Sequence, residues 1–168
     1  MSRQIATFIL GETLLGIDIL LVKEVYRQIS ITPIPDAPDH LRGLINLRGR
    51  VVTVIDLNAC LNRPKTDNIE KCRLLILKTD DEIIHYQQGG KIGEVTLGED
   101  IVGFLINSMD NVVTVEEDEI IPAPSNLESV EETLIEGVIK LGDRLVILLD
   151  VNAILDRVMN VMKKEEDK

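Results

Sequence analysis

Aromatic side chains are nearly missing from this chain: they make up 2% of its 168 residues, and Trp is absent. Single-strand nucleic-acid binders rely on aromatic platforms on which bases stack. The formal net charge of −11 further repels phosphate backbones and anionic lipid surfaces. Nucleic-acid binding is thus disfavoured twice. Cysteine is scarce too. Cys60 and Cys72 form no CxxC or other metal-ligand spacing, and so low a count suits a reducing compartment. No apolar run approaches the ~20 residues that cross a bilayer. The longest, Leu145 to Leu149, reads as a buried strand. Met1-Ser2-Arg3-Gln4 leads into a short alternating segment without the apolar stretch of a signal peptide. A soluble, cytoplasmic protein is expected, with no part inserted directly in a membrane.

What the chain has in quantity is aliphatic side chains. Apolar residues make up 45% of it, enough for a sizeable interior in one domain, or in two small subdomains sharing a core. With so few aromatics, Ile, Leu and Val must do nearly all the packing. That bias favours half-buried strands over long helices.

An internal repeat organises the chain. Residues 42–63 lie over residues 136–157 without a gap. Gly43, Ile45, Leu47, Arg50, Val52, Asp56, Asn58, Ala59, Leu61 and Arg63 meet Gly137, Ile139, Leu141, Arg144, Val146, Asp150, Asn152, Ala153, Leu155 and Arg157. Most other pairs, such as Val54 with Leu148, exchange one apolar residue for another. Upstream the echo is fainter: Leu15-Gly16-Ile17 resembles Val102-Gly103-Phe104, and Val25 falls where Val112 does. The chain reads as two related β units in series.

Local signals within the units are those of hairpins. Ile5–Leu10 and Thr13–Asp18 flank Gly11-Glu12. Leu44–Leu47 and Arg50–Asp56 flank Arg48-Gly49, and Gly137–Leu141 and Arg144–Asp150 flank Gly142-Asp143. Helical pieces are expected to be short. Asp18 can cap a turn through Leu20 to Glu24, and Asp36-Ala37-Pro38 can open another. Asn152 to Met162 can run as a C-terminal helix that frays into Lys163 to Lys168, and 159–168 reads as a polar tail outside the domain. The fold class is mainly all-β: two small five-stranded barrels sharing an apolar core, with short helices.

No chemical site is legible. His40 and His85 are far apart and neighbour no cysteine. Glu116 to Glu119 lack the alternating ligands and glycine of a calcium loop and read as a solvated turn. Gly89-Gly90 precedes Lys91 without a phosphate-loop frame. Ser125 and Ser129 have no base placed by motif. Neither catalysis, a metal nor a cofactor is expected.

Gly43-Leu44-Ile45-Asn46-Leu47-Arg48-Gly49-Arg50-Val51-Val52-Thr53-Val54-Ile55-Asp56-Leu57 closely resembles the signature of the CheW family, the adaptors of bacterial chemotaxis. Further stretches resemble it in family order. These are Gly16 to Ile19 with Val22 to Val25, Val102 to Met109, and Gly142 to Asp150, so the likeness runs over a single domain, residues 1–158. It implies two SH3-like barrels, which can exchange terminal strands. It also implies an adaptor that joins the cytoplasmic tip of a chemoreceptor to the regulatory domain of the histidine kinase CheA and transmits receptor state to the kinase. The alternative is the CheW-like regulatory domain of a CheA-type kinase itself, or of another chemosensory system. Met1 and the short polar tail favour a complete small protein.

The same resemblance places Val22, Glu24, Asn46 and Arg48 on the receptor side and leaves the kinase contacts unassigned. Arg48 stands out independently, because its repeat partner is Gly142 and the hairpin therefore does not require it. Its planar fork at a turn tip suits carboxylates or carbonyls at an interface; otherwise it is an ordinary solvated turn residue. Glu24 can orient it, or be a plain surface charge, and Val22 can be a core valine. Arg50 and Arg144 recur in both copies, which argues for a structural role with stems packed on the barrel wall.

The chain departs from the family pattern at three places. Thr53 replaces a usual Pro, harmless if its strand lies at an edge, and Asn107 replaces a common Asp. An extra segment, about Asp81 to Gly98, is expected to form a mobile hairpin turning at Gly89-Gly90, or a loop, that is dispensable for stability.

Overall fold

The computed structural model describes residues 2–27, 29–93, 95–123 and 132–166, with side chains as far as Val158, Glu132 excepted. Among these residues eleven strands follow in order. They are β1 (Ser2–Leu10), β2 (Thr13–Asp18), β3 (Val22–Tyr26), β4 (Leu41–Leu47), β5 (Arg50–Asp56), β6 (Arg73–Leu77), β7 (Ile101–Ile106), β8 (Ser108–Glu116), β9 (Ile120–Ile121), β10 (Ile135–Leu141) and β11 (Arg144–Leu149). Helix α1 (Leu57–Cys60) follows β5, α2 (Asp80–Gln88) follows β6, and α3 (Val151–Glu166) follows β11. The three hairpins turn where the glycines allow it. Gly11, Gly49 and Gly142 all take positive φ, a region that costs an L side chain about 1 kcal/mol or more.

Two sheets result, in the orders β8-β1-β2-β11-β10-β9 and β3-β6-β7-β5-β4. They have the same plan. β2 runs parallel to β11 as β7 runs parallel to β5, and the other pairs are antiparallel. The Thr32–Leu44 bridge stands beside β4 where β9 stands beside β10. Each sheet therefore mixes the two halves of the chain: β1 and β2 complete the second, β6 and β7 the first. Each sheet also curls round its own interior. Ile45, Val52, Leu74, Ile76 and Leu105 fill one, and Ile5, Val115, Ile139, Val146 and Leu148 the other. A third, larger cluster between the sheets takes both phenylalanines of the chain, Phe8 and Phe104, each fully buried. At roughly 1.5–3 kcal/mol per buried side chain, this shared core is the main source of cohesion.

The repeated residues now have physical reasons. Gly43 and Gly137 sit at equivalent β-bulges, where a crossing segment leaves no room for a side chain. A Cβ on Gly43 would lie 2.2 Å from the Thr32 carbonyl oxygen, and one on Gly137 2.8 Å from that of Ile121. Asp56 and Asp150 cap α1 and α3, accepting from Ala59 N at 3.4 Å and Ala153 N at 3.0 Å. Asp56 is fully buried and is further satisfied by Arg42 (2.9 Å) and by the Thr66 amide and hydroxyl (2.8 Å each). A buried carboxylate without such partners would cost several kcal/mol.

The structure corrects several expectations. Val22 to Glu24 are strand, not helix: the Asp18 cap serves only the single turn Ile19–Leu21, and β-branched Val22 and Val25 then pair with β6. Asp36 takes positive φ in a turn, and no helix forms there. Thr53 lies on an interior strand between Leu44 and Val102, where its N–H is an asset that proline lacks. Asn107 accepts from the Gly11 amide at 2.6 Å, a bond that a carboxylate would make equally. At the C-terminus α3 continues through Glu166 without a break at residue 159.

The largest correction concerns Asp81 to Gly98. Among its described residues there is no hairpin. Residues 80–88 form α2, opened by a capping box in which the Thr79 side chain and Glu82 satisfy each other's end of the helix. Gly89 caps its C-terminus, and Gly90 turns the chain away at φ 71°. Ile83 (0% exposed) and Leu97 (5%) belong to the shared core, and Tyr86, Ile92 and Val95 pack against it. The Asp80 carboxylate accepts from Leu97 N at 2.7 Å and Gly98 N at 3.1 Å, which closes the base of the segment.

Candidate functional site

The turn between β4 and β5 has positive φ at both central residues, Arg48 (53°) and Gly49 (82°), the geometry whose twist matches that of the flanking strands. Asn46 fastens it, its side-chain oxygen accepting from Gly49 N at 3.0 Å. Arg48 is thereby presented outward with 67% of its side chain exposed, and its Nη2 donates to Glu24 Oε2 at 2.5 Å. Glu24 is on β3 and Arg48 beyond β4, the two outer strands of one sheet. Their ion pair therefore joins the edges of the first barrel.

Below the pair lies a groove of about 240 Å³. Its floor is Leu47, Val52, Ile76 and Ile101, and its rim carries Lys23, Glu24, Arg48 and Arg50. Val22 is not in it; that side chain is half-buried against the shared core. The structure thus brings Glu24, Asn46 and Arg48 together and sets Val22 behind them. Lys23 and Arg50 were not singled out from the sequence as groove residues. A one-residue register shift between Val22 and Glu24 lets both Lys23 and Glu24 border the groove, and no local pattern announces it. Arg50 and Arg144 are both exposed; Arg50 borders the groove and Arg144 pairs with Asp110.

The second barrel is built differently at the matching place. Gly142 replaces Arg48, and Thr7 pairs with Gly16 as Ile76 pairs with Gly103. The buried Thr7 hydroxyl lies 3.0 Å from Asp110 Oδ2 and accepts from Asn111 N at 2.9 Å. Asp110 in turn binds Arg144 at 2.9 Å. A polar knot thus stands where Ile76 floors the groove of the first barrel, and the depression beside it, at Leu14 and Arg144, is bordered by the Gly11 to Thr13 turn.

Elsewhere the geometry offers little chemistry. Burial, followed by the charge of Asp56, pushes the Cys60 thiol up to about 12, which keeps it protonated and inert. Burial also raises the Cys72 thiol. His85 is exposed and lies against Tyr86. Glu116 to Glu119 form an exposed, self-capped turn. Among the described residues no group of three or more His, Cys, Asp or Glu is placed to hold a metal. No helix among them is long and apolar enough to cross a membrane. Ser125 and Ser129 lie outside the described residues.

Known proteins resemble the chain over most of its length. The family model for the CheW-like domain matches residues 4–159. The chain is 30% identical over 142 residues to the chemotaxis protein CheW of Bacillus subtilis, covering 84% of this chain and 80% of that protein. Against the chemotaxis protein CheW of Klebsiella aerogenes the identity is 27% over 154 residues, 92% of this chain and 82% of that one. The crystal structure of the scaffolding protein TtCheW from Thermoanaerobacter tengcongensis has a TM-score of 0.72 at 28% identity, covering 92% of this chain and 88% of that one.

Proposed function

This chain belongs to the CheW-like domain family, and on that premise we propose that it is a chemotaxis coupling adaptor, bound on one side to a chemoreceptor's cytoplasmic tip and on the other to the regulatory domain of the kinase CheA. It works by holding its partners in register, with no catalysis of its own, in the cytoplasm beneath membrane receptor arrays. The observation that carries this reading is the asymmetry of the two barrels. They share one plan, yet one carries an exposed arginine paired with Glu24 over apolar side chains, and the other a glycine beside a polar knot of Thr7, Asp110 and Arg144. A feature that the fold does not need is the place to look for a partner.

The groove suits a segment that brings one apolar side chain and one carboxylate. Leu47, Val52, Ile76 and Ile101 receive the first, and Arg48 the second. An exposed ion pair is worth only about 0–1 kcal/mol, so a receptor carboxylate can take the guanidinium from Glu24 at little cost. Because that pair joins β3 to the β4–β5 turn, its exchange loosens or tightens one end of the first barrel. The kinase contact is assigned to strand faces: Val51 (61% exposed) and Leu145 (57%) occupy repeat-related positions on β5 and β11, and each is an apolar side chain left uncovered. Separate calorimetric titrations with a receptor tip and with a CheA regulatory domain test the proposal. Saturable binding to both is expected, and binding to neither would overturn it.

A further inference from the structure

The extra segment carries a second ionic contact with the groove. Glu82, in the first turn of α2, uses both oxygens of its carboxylate. Oε1 accepts from the Thr79 amide at 3.1 Å and from its hydroxyl at 3.2 Å, which completes the cap. Oε2 faces away from the cap and binds Lys23 Nζ at 2.8 Å. Both side chains are about one-third exposed or less, 27% for Lys23 and 32% for Glu82. Burial alone would raise the Glu82 carboxyl, but its bonds to Lys23 and Thr79 outweigh that and hold it below the ordinary carboxylate range.

Lys23 is the immediate neighbour of Glu24 and lines the same groove. Without Glu82 the rim would carry three cations, Lys23, Arg48 and Arg50, around one carboxylate. An ammonium on a flexible four-carbon stem, free to swing over the same groove, competes for that carboxylate and repels the guanidinium. Resting on the adaptor reading above, we propose that Glu82 is a positioning residue for the groove: by holding Lys23 it leaves Glu24 to Arg48. A helix outside the family's common pattern thereby sets which cation the groove presents to its partner.

The segment can be tested without dismantling it. Glutamine serves a capping box as glutamate does, and α2 keeps Ile83 in the core and the Asp80 bonds to Leu97 and Gly98. Glu82→Gln therefore removes the charge and spares the helix. In the full chain without any partner, the Arg48 Nε–H resonance, assigned by its loss in Arg48→Lys, is expected to move toward the position of a free guanidinium in Glu82→Gln. It is expected to return when Lys23→Gln is added, while thermal unfolding of both variants stays close to that of the parent. Receptor-tip affinity should fall by up to about fivefold in Glu82→Gln, the reach of a half-exposed ion pair, and recover in the double variant. An Arg48 signal that does not move in Glu82→Gln, or that Lys23→Gln fails to restore, overturns the proposal. A signal that moves and recovers while receptor-tip affinity stays constant supports the positioning role and counts against the receptor assignment of the groove.

Discussion

Ile83→Ala is expected to destabilise the protein by about 2–5 kcal/mol, the range for truncating an isoleucine in a closed core. In a chain of this length that corresponds to a fall of roughly 5–15 °C in the thermal midpoint. The residue is fully buried in the cluster between the two barrels, so the cavity would open at the joint and not at the surface. Ile84→Ala, one position along the same helix but 51% exposed, should change stability by less than about 0.5 kcal/mol. Replacing Asp81–Gly98 with an Asp-Gly turn should cost more than Ile83→Ala, because Leu97 leaves the core together with Ile83. Differential scanning calorimetry of the three variants decides the matter. Equal midpoints for all of them would mean that the segment is an accessory arm after all.

The second large effect is on binding. Arg48→Glu should weaken affinity for the receptor tip by tenfold or more, at about 2 kcal/mol for a central arginine. Affinity for the CheA regulatory domain should stay within about twofold. Folding should be nearly untouched. Arginine and glutamate bear a similar penalty at the positive φ of this turn, and the lost surface pair is worth about 0–1 kcal/mol. Parallel titrations against the two partners, with an unfolding curve as control, separate the effects. Equal losses for both partners would remove Arg48 from the receptor side.

How much of this was legible in the sequence depends on whether the signal is local. The hairpins were, because alternation and a glycine turn fall within a dozen residues. Arg48 was legible from the repeat, since its replacement by Gly142 marked it as a residue that the hairpin does not require. The strand pairings across the two halves were not: alternation in β2 or β7 names no partner, and each has its parallel partner in the other repeat unit. For α2 a local signal exists. The Gly89-Gly90 pair suggests a hairpin turn, but Thr79 and Glu82 are spaced as a capping box, and Gly89 stands where such a helix would stop. The groove lay beyond reach. Its floor joins residues from β4, β5, β6 and β7, and the contact between Lys23 and Glu82 depends on how α2 docks.

One small chain is expected to hold two partners at once, and sedimentation velocity can show it. The full chain is mixed with a receptor tip and a CheA regulatory domain, each labelled with a different chromophore. One boundary carrying both labels is expected, because Val51 and Leu145 are not among the side chains that line the groove at Arg48. Two separate binary complexes that deplete each other would contradict it.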